Sequence, residues 1–390
     1  MDASYVDFRS TELAPDTGDV EVVSEQRQAK LERTKPLKVV FVTRKWFPAM
    51  GGMETYCVRL AKHLASLVDL TVIAVPGRAD GRPPALLPLL LLPLRVIAAL
   101  LRKKHRPNVL HLSDMAVWPI GWLARILYRT PQIAISAHGT DAAYGRRKTV
   151  RGLMYRLYLR AGSSLLPNAI VIANSRATRE VLRETGWDAA GVVRLGTDIR
   201  PSEELQVCSR KLLFCGRIIP MKGLGWFVRE VLPKLPSDID LEVAGTIWDR
   251  EEADVLQHSR VTHVGHFEPE QMPRIYRQAM GVIVPNIDVD SGEYEGFGLV
   301  AAEAAAAGGV VLAAKRDGLI DAVVDRQTGF LLASGDAEAW ASEIMRVRDW
   351  TADERTAFIS NATKVAAREY SWERVASETN ELYVRALANA

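Results

Sequence analysis

The chain has 390 residues, enough for two domains, with 48% hydrophobic and 25% charged side chains, an ordinary globular balance. Fifty basic against 47 acidic groups leave a formal charge of +3, too weak for bulk charge to imply a nucleic-acid partner. Three cysteines (Cys57, Cys208 and Cys215) at no metal-ligand spacing argue against a disulfide framework and for a reducing cytoplasm.

In chain order, residues 1–34 are polar and rich in Asp, Glu and Ser, and read as a disordered extension without a signal peptide. KVVFVT, Lys38 to Thr43, is a buried strand, followed by a Gly-containing loop and a helix over about Glu54 to Leu67. Further short apolar runs are DLTVIAV, NVLHLSD, QIAISAHG and AIVIANS, with helical segments between most of them. The apolar stretch ALLPLLLLPLRVIAALL, Ala85 to Leu101, is interrupted by Pro88, Pro93 and Arg95. It reads as a loop and a buried or membrane-grazing helix rather than a transmembrane span. The polar segment RPSEELQVCSR, 200–210, reads as an interdomain linker. The pattern then restarts with KLLFCGR, DLEVAGT, VTHVGH, GVIVPN, GVVLAA and GFLLA. SWERVASETNELYVRAL, Ser371 to Leu387, is a closing helix able to pack back on the first domain. Continuous apolar strands alternating with helices predict an α/β fold with one parallel sheet per domain. Ligand would then bind at the carboxyl ends of the strands, in a cleft between the domains.

Several stretches carry chemistry. Gly51 and Gly52 precede a helix, where a close backbone approach and a helix N-terminus suit a phosphate; a turn needing positive φ is the plainer alternative. FCGRIIPMKG ends a strand with Arg217 and Lys222, two cations at diphosphate spacing if both face the ligand; two solvated charges are the commoner alternative for this motif alone. SAHGTD ends another strand with His138, a position that faces the cleft in such folds, with a structural histidine as the commoner alternative; His111 reads as packing, and His263 and His266 lack a third metal-type partner. In EGFGLVAAEAAAAGG, Glu295 and Glu303 have seven residues between them. The glycines place Glu295 in a loop and start a helix near Gly298 or Leu299, with its free amides pointing where Glu295 faces. The two carboxylates then suit hydroxyls at separate places on one extended ligand, a loop Glu and a solvated helix Glu being the alternative, and the alanines allow close helix-to-sheet packing. The basic stretch RRKTVRGLMYRLYLR, 146–160, suits anionic lipid heads or a lipid diphosphate acceptor; a solvated helix face is the alternative.

Taken together and in order, GGMET, HGTD, GRIIPMKG and EGFGLVAAEAAAAG resemble the family 4 retaining glycosyltransferases (glycosyl transferases group 1) of the GT-B architecture. The resemblance covers roughly Lys38 to Leu387. It implies two Rossmann-like domains facing across a cleft: an acceptor domain at 35–203, a nucleotide-sugar domain at 204–368, and a helix at 369–390 crossing back. It implies that Arg217 and Lys222 hold the donor diphosphate. Glu295, with the amides around Phe297, Gly298 and Leu299, would contact the sugar, and Glu303 the ribose. His138 would lie near the reacting carbon, and Gly51 and Gly52 would allow approach to the phosphates. It further implies front-face transfer with retention, no metal and no cofactor besides the UDP- or GDP-linked donor, which is a substrate. The chain departs from the family at Asn286, where Ser is frequent, and in a longer DVDSGEY insert that makes Glu293 a rival for Glu295. The expected acceptor is a lipid-linked saccharide in bacterial surface polysaccharide assembly. The expected place is the cytoplasm or the inner membrane face, with peripheral contact through 146–160 and no nucleic acid. The competing readings are a nucleotide-sugar epimerase of similar architecture and a noncatalytic membrane-associated partner protein.

Overall fold

A computed structural model describes residues 36–49, 51–78, 84–101, 106–128, 131–201 and 210–389. The expectations for the N-terminal extension, for Cys208 and for most of the linker lie outside these residues.

The first half of the chain supplies β1 (Lys38–Thr43), α1 (Gly52–Leu64), β2 (Asp69–Ala74), α2 (Leu86–Leu101), β3 (Val109–Leu112) and α3 (Trp118–Tyr128). It continues with β4 (Gln132–Ala137), α4 (Val150–Leu165), β5 (Ile170–Ala173), α5 (Arg176–Arg183) and β6 (Ala189–Val192). The strands form one sheet in the order β2-β1-β3-β4-β5-β6. β6 went unread because AAGV has almost no β-branched or aromatic content and the strand sits at the sheet edge. The expected helix at 54–67 starts and stops earlier, at Gly52 and Leu64. Ala85 to Leu101 is a single helix from Leu86 rather than a loop and a helix. Pro88 falls in its first turn, where its missing N–H has no helical partner to lose, and Pro93 alone interrupts the hydrogen-bond ladder. Among the described residues no helix is long and apolar enough to cross a membrane.

The second half supplies β7 (Lys211–Cys215), β8 (Asp240–Ala244), β9 (Val261–Gly265), α6 (Met272–Gln278), β10 (Gly281–Val284) and α7 (Leu299–Ala307). It ends with β11 (Val311–Ala314), β12 (Gly329–Leu332), α8 (Ala337–Arg348), α9 (Ala352–Glu369) and α10 (Trp372–Ala388). Here the order is β12-β11-β10-β7-β8-β9. Counted from its own first strand, this sheet reads 3-2-1-4-5-6, the Rossmann order. Its β7–β8, β7–β10, β10–β11 and β11–β12 pairs are all parallel. β7, β10 and β11 are almost fully buried, as strands covered on both faces must be. The α/β class and the two parallel sheets are as the strand pattern predicted.

The chain divides into two compact units. Of the described residues, one holds those up to Ser136, Ser164–Val171 and those from Ala376; the other holds those of Ala137–Ser163 and Ile172–Val375. In the first unit the core gathers round Phe41, Leu60, Leu64, Leu110 and Leu112. A buried polar chain crosses it: the Tyr56 hydroxyl meets Ser136 Oγ at 2.7 Å, Ser136 meets His111 Nε2 at 2.7 Å, and His111 Nδ1 meets the Tyr383 hydroxyl of α10 at 2.5 Å. His111 is thus a packing residue with both ring nitrogens engaged. In the second unit the core includes Phe214, Phe227, Ile283, Leu312 and Trp340.

Candidate active site

Strand order alone marks a candidate site. Where successive connections leave a parallel sheet in opposite directions, the loops at the strand ends part and leave room for a ligand. In the second unit that point lies between β7 and β10, so the loops after these strands should meet there. They do. Ile287 N donates to Met221 O at 3.1 Å, tying the two loops together. The Lys222 ammonium, at the end of the turn Pro220–Lys222, forms an ion pair with Glu295, and Asn286 Nδ2 donates to the same carboxylate at 3.4 Å. Burial by itself would raise the Glu295 pKa. The charge and hydrogen bond of Lys222, the amide of Asn286 and the field of Arg217 outweigh it and hold the carboxyl below its usual range.

Arg217 is exposed, its guanidinium lying 5.0 Å from the ring centre of Trp248. A cation held on an exposed aromatic face keeps its donors available to an incoming anion. Trp248 follows β8, and its amide donates to Ile218 O at 3.2 Å, so the ends of β7 and β8 place the pair together.

The Gly296-Phe297-Gly298 turn runs from Glu295 into α7, which begins at Leu299 as expected. Gly298 has φ of 100°, and a Cβ there would lie 2.4 Å from Leu319 Cδ2, so conformation and space both require glycine. Gly296 packs against the His138 carbonyl so closely that a Cβ would sit 2.2 Å from it. No side chain caps α7, and its N-terminus begins four residues after Glu295. Phe297 is buried, edge-on to Tyr370 at 6.5 Å between ring centres. The alanines are buried on every side, because α7 packs on β10, β11, α6 and α9 at once.

Glu303 stands on the second turn of α7 and accepts a 3.2 Å hydrogen bond from the Tyr276 hydroxyl. Burial raises its pKa above the ordinary 4.5, the Tyr276 bond opposes this, and Asp198 adds to the rise. Tyr276 also hydrogen-bonds Cys215, whose thiol burial pushes up to about 12. Tyr276, Trp248 and the role of Asn286 were not read from the sequence as site features.

The two rival glutamates differ in their surroundings. Glu293 pairs with Arg147 at 2.8 Å and is about one-third exposed, whereas Glu295 is largely buried against Lys222. His138 is buried, and its amide donates to Asp141 Oδ1 at 2.8 Å. The structure thus brings together Arg217, Lys222, Glu295, the Gly-Phe-Gly turn, the backbone of His138 and, further along α7, Glu303. Gly51 and Gly52 belong to the other unit, at the start of α1. Gly51 is extended, at φ 175°, so the alternative of a positive-φ turn there is wrong. Among the described residues no group of three or more His, Cys, Asp and Glu side chains is placed to hold a metal ion.

Comparison with known proteins bears on the family and the fold. Residues 209–349 match the family "Glycosyl transferases group 1", and residues 50–200 match "Glycosyltransferase Family 4". The chain is 27% identical over 324 residues to the D-inositol 3-phosphate glycosyltransferase of Corynebacterium glutamicum, covering 74% of each. It is 28% identical over 403 residues to the enzyme of that name from Streptomyces avermitilis, covering 86% of this chain and 83% of that one. Among solved structures, sucrose-phosphate synthase from Thermosynechococcus elongatus superposes with a TM-score of 0.69 at 22% identity, over 92% of this chain and 100% of that one. HepE of Anabaena, solved in complex with UDP, gives 0.68 at 19% identity over 90% and 100%. These superpositions identify the fold as GT-B, and with the two family matches on either side of residue 205 the chain belongs to the family 4 glycosyltransferases.

Proposed function

We propose that the protein is a retaining glycosyltransferase that moves a sugar from a UDP- or GDP-sugar to an acceptor hydroxyl on a lipid-linked saccharide, as in surface polysaccharide assembly. The observation that carries the donor chemistry is the Lys222–Glu295 couple at the strand switch point, with Arg217 nearby and the uncapped start of α7 following it. Arg217 and Lys222 take the diphosphate, whose charge grows as the glycosidic bond breaks. Lys222 then exchanges its carboxylate partner for phosphate. Glu295, kept ionised, accepts hydrogen bonds from the sugar hydroxyls beside the amides of Phe297, Gly298 and Leu299. Glu303 accepts from the ribose, and His138 stands at the reacting end of the sugar. The donor's bond from C1 to the phosphate oxygen breaks while the acceptor oxygen bonds C1 from the same face. The acceptor proton passes to the departing phosphate, so no side chain has to act as base.

The acceptor assignment rests on α4, which exposes Val150, Arg151, Met154, Arg156 and Leu157. Arg147 leaves that set because it is committed to Glu293 and stacks on Tyr144 at 4.8 Å. The mixed basic and apolar face suits a lipid diphosphate at a membrane surface. Cys57 and Cys215, both buried free thiols, fit a reducing cytoplasm.

The test is turnover of UDP- and GDP-sugars with purified chain and lipid-linked acceptors, the anomeric configuration read by NMR. Arg217→Ala and Lys222→Ala should each lower kcat/KM by about a hundredfold or more. Wild-type rates in both variants, an inverted product, or donor isomerised without acceptor would each overturn the reading.

A further inference from the structure

The solvent face of α2 is apolar throughout. At 100° per residue, Leu86, Leu87, Leu90, Leu94, Ala98 and Leu101 fall within an arc of about 120°. All six are exposed, the five leucines at 61–71%. The opposite face buries Leu92, Val96, Ala99 and Leu100 in the first unit. A surface helix of a water-soluble domain normally turns charge toward solvent; here the one charged side chain, Arg95, is half-buried between the faces. The stripe does not end with α2. α3 packs beside it and exposes Ile126 and Leu127. Contiguous leucine of this extent marks a docking surface rather than ordinary scatter.

Charge names the occupant. Residues 81–138 contain eight Lys and Arg side chains and a single acid, Asp114. That acid is buried and taken by Arg44 at 3.0 Å. Four of the bases (Arg102, Lys103, Lys104 and Arg106) follow α2 directly in the sequence. A second copy seated on this face would bring two basic regions together. A bilayer with anionic headgroups instead receives leucine in its acyl boundary and Lys and Arg at its phosphates. The helix is too short and too one-sided to span, and suited to lying in the interface plane. We infer that α2, with the end of α3, is a monotopic anchor that seats the first unit on an anionic membrane. This anchor is distinct from α4 and independent of the donor assignment.

The experiment is flotation of the full chain with phosphatidylcholine vesicles, with and without phosphatidylglycerol, in the absence of nucleotide sugar. The wild type should float with the anionic vesicles and at least about tenfold less with neutral ones or in high salt. Leu90→Glu/Leu94→Glu should reduce binding to anionic vesicles by about tenfold or more with an unchanged unfolding temperature, since both positions are exposed. A wild type that stays unbound, or a double variant that floats equally, would overturn the anchor. A solution dimer that the double variant turns into monomer, without vesicle binding, would assign the face to a second copy. Flotation gained only on removal of residues 1–35 would assign it to that segment.

Discussion

Glu295 and Glu303 carry the same functional group, and their surroundings push its pKa in opposite directions. Lys222 keeps Glu295 ionised, and burial beside Tyr276 favours the protonated form of Glu303. The folded pKa of Glu303 is raised, so the native state holds that proton more tightly than the unfolded chain. Stability is therefore lost as pH rises from the ordinary 4.5 through the folded value. Glu303→Gln should raise the unfolding temperature at neutral pH, with the gain vanishing below pH 4.5, in thermal scans across pH. The same variant should weaken UDP or GDP binding by about tenfold or more, because an acceptor of two ribose hydroxyls becomes half donor. Titration calorimetry on wild type should show that affinity falling on acidification at a pH above that of an ordinary carboxylate. Trp248→Ala tests the cation shelf: losing a contact worth about 0.5–1 kcal/mol should raise the donor KM two- to fivefold with kcat nearly unchanged. The positions of Glu295, Arg217 and Lys222 in loops at one end of the sheet were legible, because glycines and strand ends mark where a backbone opens. Tyr276 and Trp248 were not, because each acts through a contact with a residue distant in sequence that no local pattern encodes.

At the scale of elements, α7 depends on what its sequence lacks. Its six buried alanines admit the sheet and two helices on different sides, and a larger side chain would have to displace one of them. Its start depends on Gly298. Gly298→Ala should cost about 1–3 kcal/mol from the left-handed conformation alone, read as a lower urea midpoint, before the contact with Leu319 is counted. The start of α7 was legible to within one residue, because a glycine beside a loop acid is a local signal. The start of α1 and the edge strand β6 were less so, because fraying and edge pairing are settled by neighbours rather than by composition. α2 shows another limit. Two prolines suggested a break, and only the turn in which each one falls decides whether it breaks a helix.

For the molecule as a whole, the alternation of strand and helix announced two α/β units with parallel sheets, and the restart at Lys211 marked where the second sheet begins. Strand order was not legible, since any buried strand can pair with any other in sequence terms. Yet that order is what brings the loops after β7 and β10 together. The polar chain from Tyr56 to Tyr383 is likewise invisible in sequence, its members lying up to 327 positions apart. Tyr383→Phe should remove one buried hydrogen bond from the first unit and cost about 1–2 kcal/mol, measured by urea unfolding. The chain has a further consequence for synthesis. A ribosome releases β1, β3 and β4 first, but the hydroxyl that meets His111 Nδ1 is made some 270 residues later. The first unit must therefore wait, incompletely packed, while the second is translated, and the unit that begins the chain is the last to be finished.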